Sequence, residues 1–139
     1  MNIDKDRIVN EVRILARDLT RYSEAAQSDS FLGCYANTTD FLAVSADGVI
    51  RNYPEFIKIC AAYYDSLREQ RLTTREDYFH IVDDSTVVWC WSGNIDAFFK
   101  NGGVWKMQQY TVTYILRKIG GKWKVAHSHD SGLPPQIVK

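Results

Sequence analysis

The chain is 139 residues long, 45% hydrophobic and 24% charged, with 17 basic side chains against 17 acidic ones. This balance fits one globular domain over 1–139 with a core of its own. It leaves no electrostatic footprint for nucleic acid, no basic run for a membrane surface and no apolar run long enough to span a bilayer.

Ile8, Val12, Leu15, Leu19, Tyr22 and Ala26 recur at steps of three and four, which predicts an amphipathic helix capped by Asn2 or Asp4. Ser28-Asp29-Ser30 ends it, and residues 30–36 read as a short second helix. In DFLAVSADGVIRNY two apolar runs flank Ala-Asp-Gly, the mark of a hairpin with Gly48 at positive φ. Pro54 suits the first turn of a third helix, PEFIKICAAYYDSLRE, whose apolar side carries Phe56, Ile57, Cys60, Tyr63, Tyr64 and Leu67. Long strands follow. RLTTREDYFHIVDD leads into STVVWCWSGNIDAFFK, Asn101-Gly-Gly103 turns into VWKMQQYTVTYILRKI, and Gly120-Gly121 turns into KWKVAHSHDS. These glycine pairs punctuate an antiparallel meander. The tail GLPPQIVK is not expected to extend the ladder normally, because its prolines lack N–H donors. Helices segregated from an antiparallel sheet define an α+β fold, with a coiled sheet wrapped round the helices and a cavity between them.

The opening MNIDKDRIVNEV lacks the apolar segment of a secretory leader, and a cytoplasmic location is expected. Cys34, Cys60 and Cys90 have neither zinc spacing nor a disulfide pattern and read as buried free thiols. Eighteen aromatic residues, four Trp, eight Tyr and six Phe, fit either a lined cavity or the packed core of a curved sheet.

The long first helix, the SADGVIRNYPEF turn, the meander closed by NGG and GGK, and the final GKWKVAHSHDSGLPP together resemble the SnoaL-like branch of the nuclear transport factor 2-like superfamily. The last stretch is also similar to the closing strand of the calcium/calmodulin-dependent kinase II association domain, with which it shares W-x-x-x-H-x-H-x-S-G. The resemblance implies a cone-shaped α+β (cystatin-like) fold with a strongly curved antiparallel sheet, a pocket at one end and homodimers through the outer sheet face. It implies isomerase-, cyclase- or dehydratase-like members, beside members that only bind or assemble. It therefore speaks to fold more than to function.

In the closing stretch, alternation puts Trp123, Val125, His127, His129 and Ser131 on one face and Lys124, Ala126, Ser128 and Asp130 on the other. Periodicity does not say which looks inward. Trp123 and Val125 favour burial of the histidine face, whereas small Ala126 and Ser128 suit a ligand wall. The kinase resemblance turns Asp130 inward and leaves His127 and His129 to support the sheet or the dimer. His-x-His with only His80 as a distant third is a poor metal site, and none is expected. Asp130, desolvated among rings, is the candidate base, with a hydrogen-bonded strand-end carboxylate as the plainer alternative. The same resemblance places Tyr114 and Asn94 at pocket positions, Tyr114 to polarise a substrate oxygen and Asn94 to orient the substrate. Tyr110 and Trp91, and from the helical side Tyr35, Tyr63 and Tyr64, are further candidate ligand contacts or ordinary core. The partner expected is a small, mainly apolar organic molecule, taken either by a cofactor-independent isomerase, cyclase or dehydratase or by a non-catalytic binding or oligomerisation domain.

Overall fold

A computed structural model describes residues 3–138. Helix α1 (Lys5–Glu24) starts at Asp4, whose carboxylate accepts from the Arg7 N–H at 3.1 Å. Asn2, the other candidate cap, lies outside the described residues. The buried stripe of α1 is Ile8, Val12, Ala16, Leu19 and Ser23, so the apolar periodicity ends on a buried serine. The short α2 (Ser28–Leu32) starts and ends earlier than expected. Strands β1 (Leu42–Val44) and β2 (Ile50–Arg51) form the predicted hairpin, with Gly48 at φ +82°. In α3 (Tyr53–Ser66), Asn52 and Glu55 cap each other reciprocally at 3.1 Å and Pro54 occupies the first turn, as a capping box requires.

The third helix stops at Ser66, and Leu67 opens strand β3 (Leu67–Asp83). The meander continues through β4 (Thr86–Phe99), β5 (Val104–Ile119) and β6 (Lys122–Ser131). The sheet order is β2-β1-β6-β5-β4-β3, antiparallel except where β1 runs parallel to β6. The tail departs from expectation. Beyond its prolines, β7 (Gln136–Val138) pairs with the start of β5. Proline removes only its own N–H, and the three residues after Pro135 are free to bond.

Five irregularities bend the sheet among the described residues. β3 slips register against β4 near Arg68, Arg75 and Val82, β5 against β4 near Gln109, and β6 against β5 at Ala126. Each extra residue reverses which parity of the strand faces inward. The last has a visible cause. The edge of β6 is covered by two segments in turn, since Val125 exchanges backbone hydrogen bonds with Cys34 and Ala36 whereas residues 127–129 pair with β1. Ala126 is the step between the two partners. Val125 and Ser128, three apart, are therefore both buried, at 0% and 2% exposure. The choice between inward faces dissolves: strict alternation fails, and each half of β6 turns a different parity inward.

Candidate active site

Sheet and helices enclose a cavity of about 360 Å³, at the small end of the range typical of ligand sites, roughly 300–1,000 Å³. Its sheet wall carries Trp89 and Trp91 from β4, Tyr110 and Tyr114 from β5, and Ser128 and Asp130 from β6. The helical side contributes Tyr35, Tyr63 and Tyr64. Tyr114 stacks on Trp89 with ring centroids 4.5 Å apart. The indole N–H groups of Trp89 and Trp91 are tied back to Asp77 at 3.1 Å and Thr74 at 2.8 Å on β3, so both rings stand as fixed walls.

Two carboxylates line the cavity among the described residues: Asp47, paired with Arg51, and Asp130, which has no basic partner within ion-pair reach. The Tyr110 hydroxyl donates to its Oδ2 at 2.6 Å. Burial pushes the Asp130 pKa from 3.8 up to about 6, against the opposing pulls of the Tyr110 hydrogen bond and of His129. Desolvation penalises the charged form more than one hydrogen bond restores it. The same burial drives the Tyr110 and Tyr114 phenols far above their ordinary value, with the Asp130 charge adding to the effect. Both tyrosines are thus donors at any physiological pH. The hydroxyls of Tyr35, Tyr114 and Ser128 have no hydrogen-bond partner among the described residues, and none is sealed away from the void.

Across the cavity lies a neutral polar cluster. Tyr63 donates to Gln70 Oε1 at 3.0 Å, Gln70 Nε2 donates to Ser23 Oγ at 2.6 Å, and Ser23 and Tyr64 share a hydrogen bond of 3.1 Å. The cavity thus combines an ionisable carboxyl, an uncharged hydrogen-bonding cluster and aromatic walls. Ser23 had a signal in the sequence, a serine on the apolar stripe of the first helix. Gln70 had none, because the irregularity at Arg68 reverses the parity of β3 just before it. Arg51 also reaches the cavity, where it donates to Ser45 Oγ at 2.9 Å and pairs with Asp47 at 3.1 Å. Cys60 is half-buried in the wall, and desolvation pushes its thiol up to about 12.

Asn94 is not in the cavity. It is exposed, and its Oδ1 accepts from the Gln109 backbone N–H at 3.2 Å. Instead of the pocket position that the resemblance implied, it lies opposite the extra residue of β5, where its side chain serves the backbone. The cysteine expectation also needs correction. Cys34 is buried, but Cys90 is exposed, because it alternates with the inward Trp89 and Trp91. His80 and His127 lie on one cross-strand row, separated by Val88 and Ile115, which is roughly 14 Å at the usual strand spacing. Among the described residues no three His, Cys, Asp or Glu side chains gather as a metal site. His127 Nδ1 lies 2.7 Å from the Leu42 carbonyl and ties β1 to β6. No described helix is long and apolar enough to cross a membrane.

The profile of the SnoaL-like domain family matches residues 12–135. No curated protein matches the chain. Among solved structures, one named as a dehydratase of the nuclear transport factor 2-like family, from Streptomyces avermitilis, superposes with a TM-score of 0.80 at 13% identity, over 93% of this chain and 98% of that one. A nuclear transport factor 2-like superfamily protein from Salmonella enterica gives 0.79 at 12% identity over 93% of each chain. A type 2 hexachlorocyclohexane dehydrochlorinase gives 0.75 at 10% identity, over 98% of this chain and 93% of that one. At these identities the likeness is one of fold.

Proposed function

The chain belongs to the SnoaL-like domain family, and on that footing we propose that it is a cofactor-independent enzyme that moves a proton on a small, mainly apolar ring compound, in an isomerisation, cyclisation or dehydration. Asp130 takes the proton, and the Tyr114 hydroxyl donates to the substrate oxygen on which charge develops. The observation that carries this reading is a carboxylate raised to about 6 inside an aromatic cavity, with Tyr110 holding one of its oxygens. Such a group is largely ionised at pH 7 and is a stronger base than an ordinary carboxylate by about two powers of ten. Tyr114 has no competing partner among the described residues and keeps its proton, as an oxyanion donor must. The structural neighbours named for dehydration and dehydrochlorination support the class, because eliminations of this kind begin with removal of a proton. The orienting role expected of Asn94 is dropped from this scheme.

Native mass spectrometry of the purified protein will identify any compound it carries. Solvent-deuterium exchange into the α-position of 2-tetralone, followed by NMR, then tests the chemistry with a defined probe. We expect exchange with the wild type and at least a hundredfold loss in Asp130→Asn. Equal exchange in both proteins would show that Asp130 is not the base and would favour a binding protein without turnover.

The outer sheet face supports a homodimer. Its central row, Val88 and Ile115 between His80 and His127, has an apolar middle, and Tyr78 and Val82 beside it are 64% and 53% exposed. A second copy covers this self-complementary patch. All three thiols are free, as in a reducing cytoplasm.

A further inference from the structure

Two backbone features lie beside the Tyr110 ring, a bulge in β5 and Gly132. Between Gly93↔Tyr110 and Ile95↔Met107, two steps of β4 face three of β5. Gln109, inside this bulge, has φ +51°, a left-handed conformation that is unfavourable for a non-glycine residue and persists where its surroundings enforce it. The enforcing contact is the Asn94 side chain, which accepts from the Gln109 N–H at 3.2 Å. The bulge also reverses parity. Trp105 and Met107 face the cavity before it, and Tyr110, Val112 and Tyr114 face the cavity after it. Without the bulge, Tyr110 would face outward with Trp105 and Met107 inside.

The second feature is Gly132. A Cβ there would meet Tyr110 Cδ2 at 2.7 Å, Cε2 at 3.3 Å and Cγ at 3.4 Å. These atoms belong to the ring and its root, so the ring itself must move. Gly132 shows no left-handed φ, and the need for glycine here is one of space. Nor can the chain at Gly132 simply retreat. Ser131 is paired to Thr111 on one side and Gln136 to Lys106 on the other, both on β5.

We propose that Asn94 and Gly132 are positioning residues for the Tyr110–Asp130 pair. Asn94 holds the bulge that turns Tyr110 inward, and Gly132 lets the ring lie where its hydroxyl reaches the carboxylate. The inference rests on the reading of Asp130 as the base, but its test needs no substrate. The groups that face Asp130 across the cavity are Tyr35, Cys60, Tyr110 and Tyr114, with His129 beside it on β6. Burial drives the three phenols and the thiol upward, so they stay protonated through the neutral range.

The experiment is a carbon-13 NMR titration of the Asp130 carboxyl in protein labelled at aspartate, from pH 4 to 8. Tyr110→Phe removes a hydrogen bond to the charged form, and its midpoint should rise by about one pH unit. Gly132→Ala should raise it in the same direction, and Gly132→Ala combined with Tyr110→Phe should add nothing further. Asn94→Ala should also raise it, with Gln109→Gly restoring the wild-type value by relieving the left-handed strain. A wild-type midpoint in Gly132→Ala, or full additivity with Tyr110→Phe, overturns the role of Gly132. An unchanged midpoint in Asn94→Ala overturns the role of Asn94. If Gly132→Ala unfolds the protein, it is repeated in Tyr110→Ala. Folding recovered to the level of Tyr110→Ala alone supports the contact, and no recovery refutes it. A wild-type midpoint near 3.8 would instead defeat the reading of Asp130 as a tuned base, while leaving the Gly132 comparison intact.

Discussion

Asp130→Asn should make the protein more stable, and the gain should depend on pH in a defined way. The folded-state pKa of Asp130 lies above its ordinary value, about 6 against 3.8. The folded protein therefore binds this proton more tightly than the unfolded chain does. The sign follows. Well below pH 3.8 the group is protonated in both states and costs nothing. As pH rises from 4 through 6 the buried carboxyl must ionise, and stability falls; above pH 6 the loss is complete. At about 1.4 kcal/mol per pH unit, the interval from 3.8 to about 6 corresponds to at most about 3 kcal/mol, an upper bound because Asp130 keeps some solvent access through the cavity. The amide retains an oxygen that can accept from Tyr110 and carries no charge to desolvate. Urea unfolding of both proteins at half-unit steps from pH 4 to 8 measures the difference. We expect near-equality at pH 4 and a stability advantage of up to about 3 kcal/mol for the substituted protein at pH 8, developed between pH 4 and 6. A difference that is flat with pH, or an advantage to the wild type at pH 8, would refute the claim that burial raises this carboxyl.

Gly93→Ala should destabilise by about 3 kcal/mol or more in urea unfolding, because a Cβ there meets the Thr73 carbonyl oxygen at 2.1 Å and the Trp91 ring at 2.8 Å. Gln70→Leu should cost about 1–3 kcal/mol by breaking its bonds to Ser23 and Tyr63, with Gln70→Glu at pH 5 as the less disruptive comparison. Ile115→Asp should yield a folded monomer by sedimentation velocity if a second copy covers the outer face, and an unchanged sedimentation coefficient would exclude that face. His127→Ala should speed hydrogen exchange in β1 while leaving β4 and β5 protected, because it removes the side-chain tie to the Leu42 carbonyl.

The fold was legible in the sequence because its punctuation is local. The apolar spacing of α1, Pro54 in the first turn of α3, and the glycine turns each name an element without help from tertiary contacts. Asp130, Tyr114, Tyr110, Trp91, Ser128, Tyr35, Tyr63 and Tyr64 all line the cavity, but periodicity left the inward face of β6 open and the rings as wall or core, and only the resemblance turned Asp130 inward. The positions of Asn94 and Gln70 were not legible. Both depend on counting parity along a strand, and the count fails wherever a residue is inserted. Nothing in Arg68, Arg75 or Ala126 marks an insertion, because a bulge arises from what pairs with the strand on each side. At Ala126 that cause is the change of partner from the Cys34–Ala36 segment to β1, a contact between residues some ninety positions apart.

The same irregularities that hid these residues explain how so short a sheet builds a site. A regular strand offers every second residue to one face, so a wall rich in rings would need every second position to be aromatic. Here the bulge at Gln109 gives the cavity Trp105 and Met107 from one parity of β5 and Tyr110, Val112 and Tyr114 from the other. On β6 the step at Ala126 commits Val125 to the core and Ser128 and Asp130 to the cavity. Each slip also bends the strand and tightens its twist, so the curvature that opens the space and the parity change that lines it have one origin. It follows that Gln109, although its side chain is exposed, should resist shortening of the strand more than substitution. Deleting it would turn Trp105 and Met107 outward or expel Tyr110, whereas Gln109→Gly keeps the bulge and removes its strain. Tryptophan fluorescence and urea midpoints of the two variants read this directly: an unshifted, more stable Gln109→Gly beside a red-shifted, destabilised deletion is the expected pair, and a deletion as stable as the wild type would show that the bulge does not hold the aromatic wall.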